Sequence, residues 1–172
     1  MRKESDGAMA AEIIWEVLRS PRHQRCGFIG ECRLNKTIAT AMTSPAAHVY
    51  RRRVEFSDTD AAGVAHFSRL LAMVEEATHD FFRKHSIPVL SESDGWPVVG
   101  LQVDFRAPCR FGDELEVLLS GFSPGESSLT FDFEAQFAGS RILTGRATIC
   151  HISPATGRPI PIPESIRRVF HP

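Results

Sequence analysis

Two aspartates separated by a threonine, Asp58 and Asp60, stand in the run VEFSDTDAAGVAHFSRLL between Val54 and Leu71. A connection from extended chain into a helix needs a turn former and an N-cap, and one Asp supplies both. The second carboxylate is the one to explain. A carboxylate can activate water or attack a carbonyl carbon, and the free N–H groups at a helix start can face the oxyanion that forms. Asp60 and the amides from Val64 to Phe67 could thus flank a single carbonyl. The plainer reading, that Asp60 is an Asx-turn or cap residue, stays open at this point. Asp58 is expected to stabilise the turn, since two adjacent ionised carboxylates hinder one another's ionisation. Gly63 either gives a ligand room to approach or serves a tight turn, and His66 either contacts substrate, orients water or caps the helix.

The elements that position these groups follow from periodicity. Tyr50, Val54 and Phe56 mark a strand running up to the aspartates. Phe67, Leu70, Leu71, Val74, Ala77 and Phe81 then recur at helical spacing, the stripe of one long helix buried on one face. Pro88 and the SESDGWP segment end it. Four strands follow: one through Val99, Leu101, Val103 and Phe105; one through Leu115, Val117 and Leu119; one through Leu129, Phe131, Phe133, Ala135 and Phe137; and RILTGRATICHI. The last three are joined by short turns as a meander, and PATGRPIPIP reads as a Pro-rich closing tail. One helix against an antiparallel sheet is an α+β plan.

The chain has 172 residues, a hydrophobic content of 42% and a formal net charge of −1. That is length and apolar content for one domain with a real core, and no basic footprint for nucleic acid. Its apolar runs fall short of the ~18 residues of a membrane span, so the expectation is a cytoplasmic protein with no membrane partner. Cys26, Cys32, Cys109 and Cys150 form no CxxC pair and are expected to be reduced thiols. His23, Cys26 and Cys32 match no common zinc spacing, so no metal is expected. Within residues 1–41, AEIIWEVLRS could make a short amphipathic helix through Ile13, Ile14, Val17 and Leu18, SPRHQRCGFIGECRLNK shows neither helical nor strand period, and the functional domain is expected to span residues 42–172.

The run FSDTDAAGVAHFSRLLAMVEEA resembles the signature of hot-dog-fold thioesterases of the 4-hydroxybenzoyl-CoA thioesterase family, and RAPCRFGDELEV resembles the family's second and third strands. The resemblance covers Val49 to about Pro163. It implies a long central helix wrapped by a five-stranded antiparallel sheet, and hydrolysis of an aryl or short- to medium-chain acyl-CoA thioester. It also implies a homodimer or homotetramer with sites between subunits, and no cofactor, CoA being part of the substrate. Asp60 matches the family's catalytic carboxylate and Phe67 the backbone N–H of its oxyanion hole. Some relatives carry a His at that place, whereas here His66 stands one position earlier.

Another branch of the fold takes its carboxylate from the helix. Glu75, about 40° round the helix from Leu71, is the backup on that count, while Glu76 should face solvent. Arg106, Arg110 and Arg146 are candidates for CoA phosphates because arginine matches phosphate geometry. Two other functions fit the same residues: a hot-dog dehydratase or hydratase using Asp60 and His66, and a non-catalytic acyl-CoA or acyl-carrier binding module.

Overall fold

The computed structural model describes residues 48–170. The expectations for residues 1–41, including His23, Cys26 and Cys32, lie outside the described residues.

Strand β1 (His48–Arg53) leads through a 3-10 turn (Phe56–Asp58) into helix α1 (Phe67–Lys84), which is 18 residues long. Then come β2 (Val98–Phe105), β3 (Glu114–Pro124), β4 (Ser128–Phe137) and β5 (Ser140–Cys150). A short hairpin of β6 (Ile152–Ser153) and β7 (Arg158–Pro159) and a single turn of helix, α2 (Glu164–Arg167), close the chain. β1 to β5 form one antiparallel sheet in the order β1-β3-β4-β5-β2. The meander of β3, β4 and β5 is as the alternation predicts, because period-2 apolar patterning fixes which face each strand buries. Leu115, Val117, Leu119, Leu129, Phe131, Phe133 and Ala135 are all buried.

Helix α1 presents Leu70, Met73, Val74, Ala77, Phe81 and Phe82 to this core. Phe67 was expected in that stripe and is instead 56% exposed, because it is the first helical residue and lies beyond the sheet-facing part of the stripe. The strand expected to reach the aspartates stops at Arg53; the chain turns at Phe56–Asp58 and leaves Phe56 exposed. The Pro-rich segment is more than a tail: it ends in a 3-10 turn whose Phe170 is buried against Phe81, Phe82 and Phe122.

β2 is an edge strand, and its Val99, Leu101 and Phe105 remain exposed. At the centre of β5, Gly145 pairs with Phe133 on one side and Val103 on the other. A Cβ there would collide with the Phe133 ring and with the Gln102 carbonyl oxygen, so only glycine lets the three strands meet.

Candidate active site

Chain geometry between β1 and α1 is set by a small hairpin. Thr59 bridges Ala65, the Asp60 N–H donates to the Val64 carbonyl at 2.9 Å, and the His66 N–H donates to the Asp58 carbonyl at 2.8 Å. Gly63, at φ +71°, makes the tip, a backbone conformation that a side chain disfavours. Val64 also bridges Arg110, which ties this hairpin to the loop between β2 and β3.

The two aspartates part company here. Asp58 is fully buried and accepts from Arg52 at 2.7 Å, from Arg69 at 2.9 Å and from the Glu55 N–H at 2.8 Å. Burial alone would raise its pKa, but the hydrogen bonds from Glu55, Arg52 and Arg69 outweigh it and hold the carboxyl below its ordinary value. The mutual hindrance expected between the aspartates is thus overridden by two guanidinium groups. Asp60 is exposed, and its Oδ1 accepts from the Ala62 N–H at 2.8 Å and from the Val64 N–H at 3.4 Å. This is the Asx turn that the plainer reading anticipates. It leaves Oδ2 without a partner among the described residues.

His66 is the N-cap of α1: its Nδ1 accepts from the Ser68 N–H at 3.4 Å and lies 2.8 Å from the Ser68 hydroxyl. Phe67 follows as the first helical residue, and no acceptor among the described residues meets its N–H. A helix start also carries partial positive charge. An uncommitted carboxylate oxygen and an uncommitted amide donor therefore flank the same short hairpin.

The carboxylates of α1 reverse the expected order. Glu76, expected in solvent, is half-buried and takes hydrogen bonds from the Tyr50 hydroxyl at 3.2 Å and from Arg52 at 3.1 Å. Tyr50 and Arg52 project from β1 onto that side of the helix, which a helical-period argument alone does not register. Glu75 is exposed yet lines a cavity of ≈ 230 Å³ walled by Leu71, Val74, Phe82, Trp96 and Leu101. Thr78 and His79 are the other polar side chains on that wall. Asp60, His66 and Phe67 lie outside the lining; Leu71, its nearest wall residue along the chain, is one helical turn past Phe67, about 6 Å along the axis. The cavity itself, built by side chains from α1, β2, β4 and β5 and the Trp96 loop, was not foreseen.

Of the arginines expected to meet phosphates, Arg106 is paired with Asp104 at 2.9 Å and Arg146 with Asp132 at 2.6 Å. Neighbouring strand residues supply those carboxylates. Arg110 has no carboxylate partner among the described residues, and its Nη1 points toward Gly63. Cys109, next to it, is buried, and burial followed by the nearby Asp113 and Asp58 charges pushes its thiol up to about 11. That thiol stays protonated and is no nucleophile.

A second titratable cluster lies between the loop after α1 and the C-terminal segment. His151, buried and stacked on Trp96 at 4.5 Å, bonds the Pro161 carbonyl through Nδ1 at 3.1 Å and Asp94 through Nε2 at 2.9 Å. Hydrogen bonds from Ser93, His151 and Ser91 pull the Asp94 carboxyl down to about 2. No helix among the described residues is long and apolar enough to cross a membrane.

Comparison with known proteins gives a consistent match. The profile of the thioesterase-like superfamily matches residues 54–170. A 1,4-dihydroxy-2-naphthoyl-CoA hydrolase of Synechococcus sp. (strain CC9902) is 32% identical over 128 residues, which is 68% of this chain and 85% of that protein. Among solved structures, a gentisyl-coenzyme A thioesterase is 28% identical with a TM-score of 0.65, over 71% of this chain and 98% of that one. A 1,4-dihydroxy-2-naphthoyl-CoA thioesterase from Synechocystis is 26% identical with a TM-score of 0.66, over 73% and 98%.

Proposed function

The chain belongs to the thioesterase-like superfamily, and we propose that this hydrolase cleaves an acyl-CoA thioester with Asp60 as its working carboxylate. The observation that carries the reading is that Asp60 Oδ2 and the Phe67 N–H, both without a partner among the described residues, flank one short hairpin inside the matched region. Oδ1 is held by the Ala62 and Val64 amides, so the carboxylate is fixed in orientation and presents one oxygen. That oxygen takes the proton of a water adding to the thioester carbonyl, or itself adds to give a mixed anhydride that water then opens. On either route the Phe67 amide faces the oxyanion, the C–S bond breaks, and CoA leaves with a proton as the free thiol. His66 fixes the helix entrance through Ser68.

The acyl group fits the cavity along α1. A cavity of about 150 Å³ accommodates benzene, so ≈ 230 Å³ suits a substituted aryl group or a short acyl chain. Relatives named for aryl-CoA substrates support the aryl class. The wall includes Val98 and Leu101 of the exposed edge strand β2, so a second copy pairing along that edge would complete the cavity and bury Val99 and Phe105. In this reading the sheet wraps α1, and the functional unit is a homodimer or a dimer of dimers.

The test is release of free CoA thiol from a panel of aryl-, short- and long-chain acyl-CoAs. Turnover of at least one aryl or short-chain ester, lost in Asp60→Asn, is the expected result. Asp60→Asn with wild-type turnover would remove Asp60 from the reaction. A second reading has a specific support: Glu75 lines the cavity whereas Asp60 does not. Loss of turnover in Glu75→Gln, with Asp60→Asn active, would transfer the role to Glu75. Double-bond formation in a 3-hydroxyacyl-CoA without thiol release would mark a dehydratase, and binding without turnover a carrier module.

A further inference from the structure

Beside the Asp60 hairpin lies a surface that hydrolysis itself does not use. Phe56 and Phe111 are 79% and 56% exposed, yet they are not scattered apolar residues: their rings meet edge to face, 6.4 Å between centroids at 85°. The Arg53 guanidinium is 6.0 Å from the Phe111 ring centroid and runs beside Gly112. On the other side Arg110, next to Phe111 in the chain, directs Nη1 toward Gly63 of the Asp60 loop. Most arginines among the described residues pair with a carboxylate; Arg53, Arg110 and the distant Arg158 of β7 do not. The acid nearest Arg110 in sequence, Asp113, spends its Oδ2 on the Arg110 backbone N–H and not on the guanidinium.

An exposed aromatic pair flanked by two unmatched guanidinium groups has a definite complement: a flat heteroaromatic ring carrying phosphates. We propose that Phe56, Phe111, Arg53 and Arg110 seat the nucleotide half of the coenzyme A ester. The adenine lies against the exposed Phe56 ring, and the phosphates lie between the two arginines. The glycines at 63 and 112 keep side-chain bulk away from those guanidinium groups. A second copy of the chain is a poorer complement. A stable protein interface takes about 800 Å² from each partner, two phenylalanine rings fall well short of that, and a symmetric contact would set arginines against arginines. The inference rests on the acyl-CoA reading and moves its phosphate contacts from Arg106 to Arg53.

Adenosine 3′,5′-bisphosphate, the nucleotide end without any thioester, is the direct probe. Calorimetric titration should show it binding the full-length wild type, and weakening at least tenfold in Phe56→Ala/Phe111→Ala and in Arg53→Gln. In thiol-release kinetics the same variants should raise KM for the acyl-CoA about tenfold with kcat within twofold. The matching acyl-N-acetylcysteamine thioester, which lacks the nucleotide, should show no such rise. Wild-type affinity and KM in both variants, no bisphosphate binding by the wild type, or a changed oligomer size in place of a changed KM would each overturn the assignment. The two readings fail separately. Bisphosphate binding through these residues with no thioester turnover leaves the nucleotide seat standing and sinks the hydrolase, and turnover with unaffected variants does the reverse.

Discussion

Two of the carboxylate–histidine neighbourhoods among the described residues, Asp94 with His151 and Asp60 with His66, differ in how much bonding capacity is spent. Around Asp94 and His151 nearly everything is committed: both imidazole nitrogens face an oxygen, the ring is stacked on Trp96, and the carboxylate takes bonds from Ser91, Ser93 and His151. Around Asp60 and His66 both side chains are exposed, and among the described residues one carboxylate oxygen and the Phe67 amide have no partner. Asp58, two residues from Asp60, belongs with the first kind, since three donors fill it in a fully buried place. The difference teaches where chemistry can reside. Saturated groups anchor loops, and only unsaturated ones can meet a reacting atom.

The contrast can be broken at four places. Asp60→Asn keeps the Asx turn, because its side-chain carbonyl still accepts, but removes the base. Thiol release should fall on the order of a thousandfold, equivalent to about 4 kcal/mol in the barrier, while the thermal midpoint stays put. Asp58→Ala should do the opposite. Removing one partner of a buried ion cluster costs roughly 3 kcal/mol, read from urea unfolding, and a loss of that size in Asp60→Ala would erase the distinction.

Acid titration probes the saturated pair. The folded-state pKa of Asp94, about 2, lies below its ordinary value of 3.8. Its contribution, about 2 kcal/mol, is therefore fully present above the ordinary value and is lost as pH falls toward 2. The stability gap between wild type and Asp94→Asn should close over that window, and a gap independent of pH would show that Asp94 acts by packing alone. The smallest effect is expected at His66→Ala, where loss of the N-cap costs about 1 kcal/mol. A cost as large as that of Asp58→Ala would mean His66 is an anchor and not an open group.

Much of this was legible in the sequence. Alternation in Leu115 to Leu119 and in Leu129 to Ala135 places the meander, and the spacing of Leu70, Val74, Ala77 and Phe81 places α1, because burial on one face imposes those periods. The Asp58–Asp60 run marked the loop on which the proposed reaction rests. What could not be read was tertiary. Glu76 is tied by Tyr50 and Arg52 of β1, Arg106 and Arg146 find acids on their own or a neighbouring strand, and Phe170 returns from the chain's end to the core. The cavity beside Glu75 is likewise assembled from segments far apart in the chain. Local periodicity has no term for such partners.

Gly145 carries a consequence for redesign. Residues lining the cavity, such as Leu71, Phe131 or Ala147, can in principle be exchanged to reshape the acyl space. Position 145 offers no such freedom: trimming Phe133 would leave the Gln102 carbonyl still in the way, and a carbonyl cannot be mutated. For anyone retuning specificity, that glycine is a fixed point about which the neighbouring side chains have to be chosen.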